Sequence, residues 1–241
     1  MKSVGVDGCK SGWFAVSIYD NGKWELQIFK SARDLHKIYA DSDIILIDIP
    51  IGLKDSGKEE RLCDLKARKL LGHGRGSSVF PVPCRQAVYC KTYEEAHKTN
   101  KEILERGLSK QTWGIVSKIR EVDEFVVNNE FVVGKLKESH PEVCFYALSG
   151  QPMKYSKKCK EGADERINVL RKLYRNTDEI IKYALNNYKR KEVALDDIID
   201  ALCLSISGLY GLENGFVVLP ECREIDNKNI GMQILFAYSK E

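Results

Sequence analysis

Apolar and polar positions alternate over the first thirty residues, and the period then lengthens. Val4 and Val6 alternate into Asp7-Gly8, and residues 13–19 are rich in aromatic and β-branched side chains. Asp20-Asn21-Gly22 supplies a hairpin turn, because Asn-Gly accepts the positive φ angles of a two-residue loop. Residues 23–29 return as a third strand. Ser31 is an N-cap for a helix running through Leu35 and Ile38. Ile44-Ile45-Leu46-Ile47 is then a continuous apolar run, the pattern of a strand buried on both faces, and Pro50 ends it.

From about residue 54 to 135 the pattern is helical. Residues 58–71 are amphipathic, 72–78 form a glycine-rich loop, Pro81 and Pro83 keep the next stretch extended, and helices are predicted at 93–106 and 112–126. Strand character returns at 139–148, which predicts the fifth strand there. Helices follow at 164–175, 178–188 and 195–212, with short strands at 216–219 and 232–238. Three antiparallel strands, a helix, a buried strand, a later fifth strand and a closing helix give the succession of an α/β, ribonuclease H-like fold. The expectation is one domain over residues 1–241, a mixed five-stranded sheet flanked by helices, with a helical insertion after the fourth strand.

Composition narrows the function classes. A hydrophobic content of 43% with 30% charged residues is ordinary for a globular protein, and the apolar runs are far shorter than the ~20 residues of a membrane span. The chain enters a strand pattern at once, without a signal-peptide core. The eight cysteines form no Cys-x-x-Cys pair and the four histidines have no ligand spacing. A zinc ribbon is therefore disfavoured, and a reduced, cytoplasmic protein with no membrane partner is expected. The net charge of +3 hides an asymmetry: residues 61–91 carry seven cations against Asp64 alone, and residues 154–175 carry eight against three acids. Two such segments suit a nucleic acid, or else are solvated helix faces.

Carboxylates supply the candidate chemistry. Asp196, Asp197 and Asp200 open an apolar helix. N-capping and the helix dipole account for Asp196, but Asp200 lies about a turn inside. Asp197 and Asp200 project about 60° apart, close enough to share a cation. In the expected fold Asp7 closes the first strand and Asp48 closes the neighbouring fourth, so both face the closing helix, whose small residues Ala201, Gly208 and Gly211 permit a close approach. Asp7 could equally start a turn, and Asp48 could be a plain strand-end carboxylate. Convergent carboxylates repel unless a cation neutralises them, and hard oxygen ligands select Mg²⁺ or Mn²⁺. Two such ions would serve phosphodiester cleavage, with Asp7 as the shared ligand. Glu142, placed in the expected fifth strand, is a further ligand candidate or a partner for an arginine such as Arg68; Glu138 ranks below it. Lys10, Arg61, Arg68, Arg75, Ser77, Ser78 and Arg85 are candidate substrate-binding residues, and the 72–83 loop offers cations, hydroxyls and N–H groups for phosphate, or is simply a tight connection.

These residues also carry a resemblance. Gly5-Val6-Asp7-Gly8 with Gly12-Trp13, Ile47-Asp48-Ile49-Pro50-Ile51-Gly52-Leu53, Arg61-Leu62-Cys63-Asp64 with Ala67-Arg68, Ser77-Ser78-Val79-Phe80, His140-Pro141-Glu142 and Asp197-Ile198-Ile199-Asp200-Ala201-Leu202 together resemble the domain of unknown function 429 family. That resemblance implies a ribonuclease H-like fold and a predicted nuclease. The Asp-x-x-Asp-Ala-Leu helix is similar to that of RuvC-type resolvases, which implies metal ligation by Asp197 and Asp200; this chain departs from them at Asp48, where they typically carry glutamate. Two other classes compete: a phosphotransferase of the sugar kinase and actin type, for which Asp7 to Gly12 would be the first phosphate loop, and a non-catalytic binding protein whose carboxylates are structural.

Overall fold

In the computed structural model, which describes residues 1–129, 132 and 134–239, the chain opens with β1 (Lys2–Cys9), β2 (Gly12–Tyr19) and β3 (Trp24–Phe29), then α1 (Ala32–Ile38) and β4 (Ile44–Ile47). The helical stretch that follows comprises α2 (Leu62–Arg75), α3 (Arg85–Val88), α4 (Tyr93–Leu104), α5 (Lys110–Trp113) and α6 (Val116–Val127). After β5 (Leu136–Glu138) come α7 (Pro141–Ser149), α8 (Lys160–Leu173), α9 (Thr177–Asn187) and α10 (Leu195–Asn214), and then the hairpin of β6 (Val217–Ile225) and β7 (Gly231–Phe236). The main sheet has the order β3-β2-β1-β4-β5, antiparallel through β3, β2 and β1 and parallel through β1, β4 and β5. This is an α/β, ribonuclease H-like arrangement.

The fifth strand departs from the sequence reading. Residues 139–148, expected as that strand, form helix α7, while β5 is the three-residue Leu136–Glu138. Pro141 decides the matter: it occupies the first helical turn, where its fixed φ and missing N–H cost nothing, and Glu142 follows where the helix dipole favours an acid. Leu136-Lys137-Glu138 gives no apolar alternation to read, and its Glu138 is buried by an ion pair rather than by hydrophobicity. Gly72 also differs: it sits at φ 65° inside α2 and kinks it, so the expected loop is partly helical.

Alternation along β1 sorts its side chains between two cores. Val4 and Val6 face a core with Ile45, Ile47, α1 and α6, whereas Ser3, Gly5 and Asp7 lie on the opposite face, which α10 covers. Contact there is close. A Cβ on Gly5 would lie 2.0 Å from the Ala201 carbonyl oxygen and 2.3 Å from the Ser205 nitrogen, and one on Gly208 would lie 2.1 Å from Ser3 Oγ. Helix and strand therefore run in opposite directions, with Gly208 over Ser3 and Ala201 to Ser205 over Gly5. Continuing one turn toward the helix start places Asp197 and Asp200 over Asp7. Gly211 has a different role from the one expected, since it makes room for the Phe216 ring rather than for the sheet.

Gly5→Ala should cost about 3 kcal/mol or more, because neither backbone can yield to the added methyl. Chemical denaturation would measure the loss, and an unchanged midpoint would show that α10 does not depend on this contact.

Candidate active site

Asp48 directly follows the last residue of β4, whereas Asp7 neither closes β1, as expected, nor starts a turn: β1 continues past it to Cys9, with Asp7 paired to Phe14 of β2. Val6 pairs with Ile47 in the parallel β1–β4 register, and the Asp48 N–H donates to the Val6 carbonyl at 2.9 Å, so the two aspartates follow side by side. Asp7 is nearly buried, and its Oδ1 accepts from the Gly8 N–H at 2.7 Å. Burial raises its proton affinity well above the usual carboxylate range, the charges of Asp48, Asp200 and Asp197 add to this, and Lys157 opposes it. Asp200 is 1% exposed. Its pKa is pushed up to about 6 by burial, with Asp48 and Glu142 adding and Lys157 opposing. Asp197 Oδ2 accepts from the Ala194 N–H at 2.9 Å and so closes the first turn of α10, and burial raises its pKa too. Asp196 pairs with Lys158 at 2.7 Å; burial pushes its pKa up, but that hydrogen bond and the charges of Lys158 and Lys157 together bring it below the ordinary value. The structure thus brings Asp7, Asp48, Asp197 and Asp200 into one electrostatic group, with Asp196 at its margin.

Lys157 is the cation inside this group. Its Nζ lies 2.5 Å from Asp200 Oδ2. Burial alone would lower its pKa, but Asp200, Asp7 and Asp48 together hold it well above its ordinary value. The loop carrying it is pinned: Arg166 donates to the carbonyls of Tyr155 and Gly162, Glu165 accepts the N–H groups of Lys154 and Tyr155, and Gly162 leaves no room for a Cβ against the Ser156 carbonyl. The fully buried Arg166 also ion-pairs with Glu142. Glu142 therefore sits on α7 rather than on a strand, beside Asp200, with Arg166 rather than Arg68 as its partner.

Above the carboxylates is a cleft of about 400 Å³. Of the expected substrate-binding residues, Arg75 and Ser78 line it. They support each other, since Ser78 Oγ donates to the Arg75 carbonyl while Arg75 Nε holds the Met153 carbonyl. The others lie elsewhere. Arg61 is 2% exposed and is spent on Asp64, Glu138 and the carbonyls of Ile51 and Gly52. Arg85 is held by Asp55, Asp123 and Asp226. Arg68 pairs with Glu60, and with Ser77 it borders a separate shallow hollow. Lys10 is exposed and outside the cleft lining. Lys118, Lys157 and Lys158 line the cleft instead. Lys118 stacks 4.4 Å from the Trp13 ring centroid and donates to the Gly12 carbonyl, and burial lowers its pKa. A lysine on an amphipathic helix carries no motif, so the sequence offered no signal for Lys118.

Among the described residues, a group of three ligand atoms within 4.8 Å of one another is formed by Cys63, Asp64 and Glu138. Arg61 already neutralises that group. Burial, opposed by Arg61, holds the Glu138 carboxyl near pKa 7. The carboxylates around Asp7 are more widely spread and are held by Lys157.

The order and mixed pairing of the five-stranded sheet, with its flanking helices, define a protein of the ribonuclease H-like fold class. Residues 5–224 match the model of the family described as "Protein of unknown function (DUF429)", and the chain belongs to that family. No curated protein and no solved structure matches it. No helix of the described residues is long and apolar enough to cross a membrane.

The raised Asp200 pKa, about 6 against 3.8 for a free carboxyl, sets a stability window. The folded state binds this proton more tightly than the unfolded state, so the stabilisation is complete below about pH 4 and is lost as pH rises through about 6. With a metal chelator present, the wild-type Tm should fall across that window relative to Asp200→Asn. In Lys157→Met, where the opposing cation is gone, the fall should extend to higher pH. Parallel Tm–pH curves for wild type and Asp200→Asn would refute the assignment.

Proposed function

We propose that this protein is a divalent-metal-dependent nuclease that hydrolyses phosphodiester bonds in nucleic acid. The observation that carries this reading is that Asp7 and Asp48 line a cleft bordered by Arg75, Lys118, Lys157 and Lys158, with Asp197 and Asp200 close enough behind that lining to raise the proton affinity of Asp7. All four acids offer hard oxygen donors, and the raised proton affinities of Asp7 and Asp200 mark an excess of negative charge that a cation would relieve. That donor chemistry fits Mg²⁺ or Mn²⁺. Asp7 would be the shared ligand, with Asp48 on one side and Asp197 and Asp200 on the other. When bound, a pair of such ions supplies an activated water and a stabilised leaving oxygen.

The protein's own groups do the rest. Lys118 and Arg75 offer positive charge to the phosphate at the cleft wall, and Lys157, once drawn off Asp200, adds its ammonium to the same anion. His140 shares its Nε2 with the Ser78 carbonyl at 3.3 Å, which fixes the cleft edge next to Ser78. The phosphotransferase reading needs a second glycine-rich phosphate loop, for which residues 48–53 are a poor candidate. There the Ile51 N–H is taken by Glu138 and the Leu53 N–H by Asp226, so neither amide is directed at a phosphate.

Purified protein with Mn²⁺ should cleave at least one of a branched DNA, an RNA–DNA hybrid and a single strand. Asp7→Asn should reduce the rate roughly 100-fold or more. Silence across the panel, or full activity in Asp7→Asn, would overturn the proposal.

A further inference from the structure

The cleft over Asp7 combines three kinds of surface. Its floor is acidic and its border carries cations, while Ile49, Pro50, Phe80 and Ile115 give it an apolar side. Phe80 and Ile115 are each only partly buried against the second core, so both present apolar surface to the cleft. Phe80 lies beside Ile49, Pro50 and His140, with which it also lines a neighbouring crevice. An anion alone needs no apolar side, and an apolar ligand needs no cations. Together they suit a ligand with a flat apolar body and an anionic end, which describes one nucleotide.

Size points the same way. About 400 Å³ lies near the lower end of pockets that enclose a small molecule, whereas specific duplex readers use open surfaces of roughly 1,000 Å² or more. A base stacked in a duplex cannot enter such a cleft, and enzymes that work on single nucleotides take them out of the stack. Resting on the nuclease reading above, we propose that the site accepts one unpaired nucleotide at the end of a single strand. Its base would lie against Phe80 and its phosphate over the carboxylates among Lys118, Lys157 and Arg75. Hydrolysis would then proceed from a chain end: water adds to the terminal phosphodiester phosphorus, the bridging P–O bond breaks, and the leaving oxygen takes a proton as one mononucleotide departs.

Two measurements test this separately from the nuclease assignment. In the first, the affinity of nucleoside 5′- and 3′-monophosphates is compared by calorimetry with that of inorganic phosphate, with Mn²⁺ present. A nucleotide should bind at least about 10-fold more tightly than phosphate. Phe80→Leu, which keeps apolar volume but loses the ring, and Phe80→Ala should each weaken nucleotide binding about 5- to 100-fold and leave phosphate binding unchanged. Equal affinity for nucleotide and phosphate, or an unaffected Phe80→Leu, would overturn the proposal whether or not the protein is a nuclease. In the second, a linear single strand, a circular single strand and a blunt duplex are compared as substrates. The linear strand should yield mononucleotides, with the circle intact and the duplex at least about 10-fold slower. Cleavage of the circle at the linear rate would retain the nuclease and remove the end-binding site. Nucleotide binding without any cleavage would do the reverse.

Discussion

The packing of α10 directly on β1 is the constraint on which the rest of the molecule depends. With no side chain at Gly5, the backbone of Ala201 to Ser205 sits against the strand at a distance that a single methyl group would prevent. That contact buries the middle of α10 completely, and it also fixes the helix in register with β1. Because Asp7 is two residues beyond Gly5 on the same face, and Asp200 and Asp197 are the next turn of the helix, one packing contact sets both core and carboxylate geometry. Tight packing buries Asp200, and the ion pair with Lys157 supplies the counter-charge that such burial requires.

Charge is the second constraint. Four acids held this way would raise one another's pKa values until some were protonated, and Lys157 limits that effect. Its loop is anchored by Arg166, whose other partner is Glu142 on α7. Glu142 therefore acts on the acidic group in two ways: it lines the cleft and raises the pKa of Asp200 directly, and it orients the arginine that holds the loop that supplies the cation. In the sequence Lys157 and Lys158 stand out only as part of a basic segment. Their function in the fold is local, as counter-charges to Asp200 and Asp196.

Much of the sheet was legible because β1 to β4 obey simple patterns: alternation, an Asn-Gly turn and a continuous apolar run. The neighbouring positions of Asp7 and Asp48 followed from the same patterns, although β1 runs two residues past Asp7. β5 was not legible, since a three-residue strand completed by a buried ion pair has no hydrophobic signature, and the apolar residues of α7 after Pro141 carry strand character in the sequence. The cations were harder still. Arg61, Arg68 and Arg85 stand in motif-like or basic surroundings, yet each is spent within the protein, and Arg61 and Arg85 are buried as well. Burial of a charge depends on partners distant in sequence, such as Glu138 for Arg61 and Asp226 for Arg85, which one-dimensional patterning does not reveal.

This also separates two kinds of family motif. The 47–53 segment and Arg61 to Asp64 belong to one structural lock: Arg61 takes the carbonyls of Ile51 and Gly52, and Glu138 takes the Ile51 N–H and the guanidinium. The lock holds the chain just after Asp48, so it acts on that aspartate by fixing where β4 ends. Asp7 and the Asp197–Asp200 turn, by contrast, have far less internal neutralisation than Arg61 has; Lys157 is a single charge among four acids. Arg85 likewise faces three acids, Asp55, Asp123 and Asp226, but its guanidinium bonds each of them, whereas Lys157 bonds Asp200 alone of the four acids around Asp7. That difference in bonding, together with the cleft that Asp7 and Asp48 line, is what distinguishes the candidate site from the other buried ionic clusters of the molecule.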